Sequence, residues 1–324
     1  MSKARQLADL GNVYDDGALS NRNAIINGNF DVWQRGTSIT SNNSIDYIAD
    51  RWATFANGDI TTSRQSFTAG QTDVPNEPVY FVRWDVNTYA SGDNYFQKLE
   101  DVRTLAGQTA TISFYAKADT AITIRPRFIQ NFGSGGSAEV VTAVDVANVT
   151  TSWQKFTITT SIPSISGKTI GTASYLEIEL LRITDSFTGY IDLAQVQLEV
   201  GDTATPFEHR SYGDELARCQ RYYYKWQSPT AYSFIATGYA YQSTDANIPI
   251  LLPQELRANP TFSSSGNFRI CSGACFTGPT LSLGRGGYNS SSIVATTTGL
   301  TTGDAYALGD NNDPTAYLAF DAEL

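Results

Sequence analysis

Between residues 109 and 200 apolar and polar positions alternate with a period of two. In residues 109–117 (TATISFYAK) Ala110, Ile112, Phe114 and Ala116 fall on one side, the pattern of a strand with one face in a core. Residues 122–129 repeat it with Ile122, Ile124 and Phe128. Residues 132–137 (FGSGGS) read as a glycine-rich turn and residues 139–146 as a returning strand. Residues 153–160, 175–183 and 190–200 continue the series. Nothing from residue 23 to 200 holds a convincing helical period. Many short antiparallel strands that need cover on both faces predict an all-β jelly-roll sandwich over residues 22–205.

The period changes once. Residues 201–211 form a connector punctuated by Gly201 and Pro206, and Ser211 with Asp214 resembles a capping box. Leu216, Cys219 or Gln220, and Tyr223 then share one helical face, which predicts a single linking helix over residues 212–224. Beyond it, residues 231–241, 248–252, 261–271, 280–283, 293–298 and 316–321 read as short strands among Gly, Ser and Asn turns. These predict a second, smaller β-sandwich, so that residues 206–324 comprise linker helix and C-terminal β domain. Residues 1–21 are too polar to fold alone. Leu7, Leu10, Val13 and Tyr14 are the apolar anchors of an arm expected to order by docking on a partner.

Composition narrows the partners. Hydrophobic residues reach 41% and charged residues only 17%, enough for two cores beneath a surface rich in Ser, Thr, Asn and Gly. The net charge of −10 disfavours nucleic acid and anionic membrane surfaces. The longest apolar run, around residues 248–252, falls far short of a membrane span. Residues 1–10 lack the apolar core of a signal peptide, so the expectation is assembly in a host cytoplasm and release by lysis. In that compartment Cys271 and Cys275 read as two buried free thiols rather than a disulfide, and Cys219 as a small buried hydrophobe.

Catalytic chemistry has no motif here. The single histidine, His209, lies in the connector, where it reads as a surface or packing residue. No G-x-S-x-G elbow, P-loop or H-E-x-x-H occurs. The 32 acidic residues would allow a glycosidase pair, but no pattern nominates one. The chain reads as non-enzymatic, with no catalytic residue.

Two stretches carry a family resemblance. One is residues 23–36 (NAIINGNFDVWQRG) with residues 47–52 (YIADRW). The other is residues 190–225 (YIDLAQVQLEVGDTATPFEHRSYGDELARCQRYYYK), extended by residues 252–262 (LPQELRANPTF). Together they resemble a module of tail fibres and other virion structural proteins of tailed phages, over roughly residues 22–270. Within them, NGNF-D and YIDLAQVQLE resemble the first and last strands of carbohydrate-binding-module jelly rolls.

The resemblance implies a tail fibre or similar appendage that binds a host-surface glycan or receptor. The alternative is a non-lectin connector or decoration protein of the virion neck, tail or capsid. It implies other virion proteins as partners and, with the aromatic segment 222–226, a homo-oligomer, a trimer. It also implies a structural Ca2+ held by Asp31 and Asp192 with backbone support around Asn29. Sugar stacking calls for exposed aromatics. The candidates are Trp84, Tyr89 and Tyr95 around the loop 85–94 (DVNTYASGDN), and Phe132 in the glycine-rich turn. Trp33, Trp52 and Trp153 are assigned to the core by their strand patterns.

Overall fold

The computed structural model describes residues 21–285, 287–288 and 290–324. The anchors Leu7, Leu10, Val13 and Tyr14 lie outside the described residues. The chain is all-β with one described helix, and it divides into two compact units. One ends at Glu215 and also holds Leu324; the other is Leu216–Glu323.

The first unit contains β1 (Ser38–Tyr47), β2 (Trp52–Ser66), β3 (Tyr80–Thr88), β4 (Asn94–Glu100), β5 (Thr109–Ala118), β6 (Ile122–Ile124), β7 (Arg127–Asn131), β8 (Val140–Ala143), β9 (Ala147–Val149), β10 (Gln154–Ser161), β11 (Tyr175–Arg182) and β12 (Gly189–Val200). The sheet order is β10-β5-β12-β3-β2-β4-β11-β7-β8, with β1 added on β2 and β6 paired with β9. Strand β2 belongs to two leaves. Its N-terminal residues Trp52–Phe55 pair with β4, whereas Asp59–Ser66 pair with β3. The sheet therefore curls on itself and encloses Trp52, Trp84, Ile112, Phe114, Phe128 and Leu193.

The alternation over residues 109–117 is realised: Ala110, Ile112, Phe114 and Ala116 are all fully buried. Residues 122–129 form two strands rather than one, because Pro126 falls between β6 and β7 and cannot donate to a ladder.

The two stretches that carry the resemblance meet in space. The segment after Asn21 lies along β12, with Ala24 N–H donating to Leu198 O at 2.8 Å and Val196 N–H to Gly28 O at 2.8 Å. Only glycine allows that approach, since a Cβ on Gly28 would meet Val196 O at 2.1 Å. Asn23 accepts from Ile25 N and Leu198 N, both at 3.0 Å, through its side-chain oxygen.

The connector then closes over this segment as a polar latch. Glu208 accepts from Asn23 N at 2.8 Å, and Arg210 donates to Ile25 O at 2.9 Å and to the Asn23 carbonyl. Arg210 also faces Glu208 at 3.5 Å and Glu215 at 3.4 Å, with all three side chains largely buried. Glu215 in turn accepts from Asn27 N–H. The latch carries the first unit through Glu215, so the break falls inside the helix and not before residue 206.

The helix α1 is Tyr212–Gln220, opened as expected by Ser211, whose Oγ accepts from Asp214 N at 3.2 Å. It stops short of residue 224 because Tyr223–Gln227 is a strand of the second unit, β13. The other strands there are β14 (Phe234–Ala240), β15 (Asp245–Leu251), β16 (Thr261–Ser265), β17 (Phe268–Ser272), β18 (Ala274–Thr277), β19 (Thr280–Arg285), β20 (Ser290–Thr296), β21 (Ala305–Asp310) and β22 (Tyr317–Asp321). A three-stranded sheet, β13-β22-β16, and a seven-stranded sheet, β18-β17-β21-β14-β15-β20-β19, share one core around Ile248, Ile270, Ile293, Leu308, Leu318 and Phe320.

One sequence expectation fails in this unit, that of the free thiols. The aromatic segment 222–226 packs largely on the unit's own core. Tyr222 and Tyr223 are buried, Tyr224 stacks on Phe320 at 6.3 Å and Trp226 packs on the same core. Cys271 and Cys275 are not free thiols but a disulfide. They face each other directly in the β17–β18 hairpin, 4.1 Å apart at Cα, a turn that Gly273 permits with φ +79°.

Candidate functional site

The sequence-nominated glycan residues are not a site. Trp84 and Tyr95 are 0% exposed and Phe132 1%, so no ring face remains for a sugar. Tyr95 stacks on Trp52 at 5.3 Å, and Phe132 lies under Lys168. Tyr89 is half-buried and packs against the first core.

The calcium set does not fit either. Asp192 faces Arg83 of β3 and Lys117 of β5 in direct cross-strand register. Its carboxylate accepts from Arg83 at 2.8 and 2.9 Å and faces Lys117 at 3.7 Å. Burial pushes the Asp192 carboxyl up, and the bonds from Arg83 pull it back. Two protein cations hold the place where a metal was expected. Asp31 instead accepts from Asn29 Nδ2 at 2.9 Å, and no group of three or more His, Cys, Asp or Glu among the described residues could hold a metal ion.

A different place in the first unit gathers functional groups. A groove of about 330 Å3 opens on the face shared by β1, β2, β4, β11 and β7. Because strand side chains alternate, Asn94, Phe96 and Lys98 of β4 point the same way, as do Tyr175 and Glu177 of β11. The antiparallel register sets Lys98 opposite Glu177 and Phe96 opposite Glu179. Phe96, Glu179 and Asn94 are buried in the floor, while Phe55, Tyr175, Lys98, Glu177 and Arg127 are half-buried.

The polar groups here are of two kinds. Glu179 is committed to structure, accepting from Arg127 Nη2 at 2.7 Å and from its Nε, with Arg182 at 3.7 Å. Asn94 is not fully committed. Its Nδ2 donates to Gly92 O at 2.9 Å, but its buried Oδ1 has no partner among the described residues, a state that costs free energy until something donates to it. The Lys98 ammonium sits 4.5 Å from the Tyr175 ring centroid, and burial lowers its pKa. Burial also pushes Glu177 up to about 7, against the pull of Lys98.

That shift makes a stability prediction. Below about pH 4.5 Glu177 is protonated in both folded and unfolded chains. Between there and about pH 7 only the folded chain keeps the proton, so stability falls as pH rises, by at most about 1.4 kcal/mol per unit. Solvent screening at this partly exposed group reduces the total to the order of 1–2 kcal/mol. Thermal melts should therefore show Glu177→Gln raising Tm at pH 8 and leaving it unchanged at pH 4. An equal effect at both pH values would contradict the buried-carboxylate reading.

Sequence reasoning missed this groove because it looked for aromatics beside turns. The available signal was a charged or polar residue at alternate positions of otherwise buried strands: Asn94 and Lys98 on β4, Glu177 and Glu179 on β11.

No family model matches the chain, and no curated protein matches it. Among solved structures it is similar to the CBM22-1 xylan-binding domain of Paenibacillus barcinonensis Xyn10C, at 12% identity over 55% of this chain and 94% of that one, with a TM-score of 0.34. A C-terminal family 22 carbohydrate-binding module of Clostridium thermocellum Xyn10B aligns at 18% identity over 48% of this chain and 89% of that one, with a TM-score of 0.34. The enzymatically active domain of bacteriophage CBA120 tailspike protein 4 aligns at 15% identity over 55% of this chain and 21% of that one, with a TM-score of 0.32.

Proposed function

We propose that this chain is a structural protein of a tailed-phage virion, a fibre or similar appendage, and that the β4–β11 groove holds a host-surface glycan. One observation carries the glycan reading: half-buried aromatic walls, Phe55 and Tyr175, flank a buried acceptor, Asn94 Oδ1, to which no described residue donates, on one sheet face. A pyranose presents an apolar C–H face and a rim of hydroxyls. The rings match the first, while Asn94 as acceptor, Lys98 as donor and Glu177 match the second. The virion setting is supported by the resemblance of residues 23–36 and 190–225 to phage structural modules.

The glycan reading is tested by titrating purified protein with host cell-surface polysaccharide. Tyr175→Ala, which removes one wall, is expected to weaken binding about tenfold, the size of one lost stacking contact. Binding that survives both Tyr175→Ala and Phe55→Ala undiminished would sink the groove as the site. The virion reading has its own test in mass spectrometry of purified particles, where the chain should be present in stoichiometric amount. Its absence from particles would overturn that reading without touching the first.

A further inference from the structure

The second unit carries its own opening on the exposed face of the seven-stranded sheet, a trough of about 480 Å3 lined by Tyr239, Tyr241, Asn247, Gly284, Ser292 and Val294. Cross-strand register builds it. Tyr239 of β14 stands opposite Asn247 of β15, which stands opposite Val294 of β20. Tyr239 and Tyr241 are 52% and 44% exposed, large aromatic surfaces left in water side by side on one wall.

Three features describe what would fit. The Tyr239 and Tyr241 hydroxyls and the Asn247 carboxamide have no hydrogen-bond partner among the described residues, so each can be offered to a ligand. None of the described lining residues is acidic or basic, which fits a neutral ligand, since a charged one would lose water without gaining a counter-charge from them. Its depth on the far side depends on Gly284. A Cβ there would lie 2.8 Å from Val294 Cγ2 and 2.9 Å from Ser292 Oγ, side chains that line the same space.

From these features we infer that the second unit holds a separate binding trough for a neutral oligosaccharide. The two tyrosine rings cover the apolar faces of a sugar, and Asn247 meets its hydroxyls. The volume falls in the range of small-ligand pockets, roughly 300–1,000 Å3, and suits a few sugar rings better than a protein surface. The inference stands apart from the groove of the first unit and does not depend on it.

The test uses the full-length protein and a panel of neutral gluco-, galacto-, manno- and N-acetylglucosamine tetrasaccharides, with a trigalacturonate as the charged counterpart. Saturation-transfer NMR should show at least one neutral member binding and the charged one not. The double variant Tyr239→Ala, Tyr241→Ala should weaken that binding by about tenfold or more. Gly284→Val, which fills the trough, should do the same. Tyr232→Ala, at a tyrosine of this unit that is also half exposed but lies outside the trough, should leave binding unchanged.

Absence of binding by every neutral member would overturn the inference, as would binding that the trough variants do not weaken. It would also be overturned if sedimentation showed the trough variants dissociating an oligomer of the wild type, since the face would then be a contact between copies.

Discussion

Arg210→Ala is expected to destabilise the first unit by about 3–5 kcal/mol, the cost of stranding buried charges by removing their partner. The side chain is 7% exposed and joins Glu208 and Glu215 to the carbonyls of Asn23 and Ile25. Without it, two carboxylates remain near the first segment with their common counter-charge gone. Urea denaturation should show a large fall in the midpoint of the first unit's transition. Arg210→Lys should recover little, because a single ammonium cannot reach two carbonyls and two carboxylates as a planar fork does. A change below about 1 kcal/mol would mean that the latch is a surface feature with the worth of an exposed ion pair.

Asp192→Ala should cost a similar amount, about 3–5 kcal/mol, by leaving Arg83 and Lys117 side by side without the carboxylate between them. The expectation follows from its 0% exposure and its two-point bond to Arg83. The same geometry predicts that a chelator leaves Tm unchanged. A ligand bound only by the folded state must raise its stability, so a fall in Tm with chelator would restore a metal at Asp192 and contradict the ion-pair assignment.

Much of the fold was legible from the sequence because most strands in the second half of the first unit bury at least one face, and β12 buries both. Residues 109–117 and 190–200 are β5 and β12 nearly to the residue. Periodicity ran past breaks that backbone chemistry imposes. Pro126 divides one expected strand, and Gly266, with φ +99°, divides another between β16 and β17.

The cysteines were misread because the argument came from compartment. The local pattern, Cys271 and Cys275 across a turn at Gly273, was the better guide.

The resembling stretches misled in a specific way. Asp31 and Asp192 suggested a metal, yet Asp192 is bound to the protein's own Arg83, and Asn23, Glu208 and Arg210, which the metal reading did not use, tie the two stretches together. Phe132 was taken for an exposed turn residue. It is buried because the turn packs tightly on residues 171–174, where Gly133 would bring a Cβ within 2.2 Å of Thr172 O. Which side of a curled sheet faces solvent follows from which strands pair, and β2 pairing with both β3 and β4 is long-range information that no local pattern carries.

The central claim is that the β4–β11 groove binds glycan, and mapping the bound state tests it most directly. Backbone amide shifts of the full-length protein should be followed by NMR as an oligosaccharide released from the host-surface polysaccharide is added. The account predicts saturable shifts concentrated at Asn94, Phe96, Lys98, Tyr175 and Glu177, with the Asn94 side-chain amide among them. An absence of saturable shifts at millimolar sugar, or shifts in the first unit confined to residues away from β4 and β11, would contradict it.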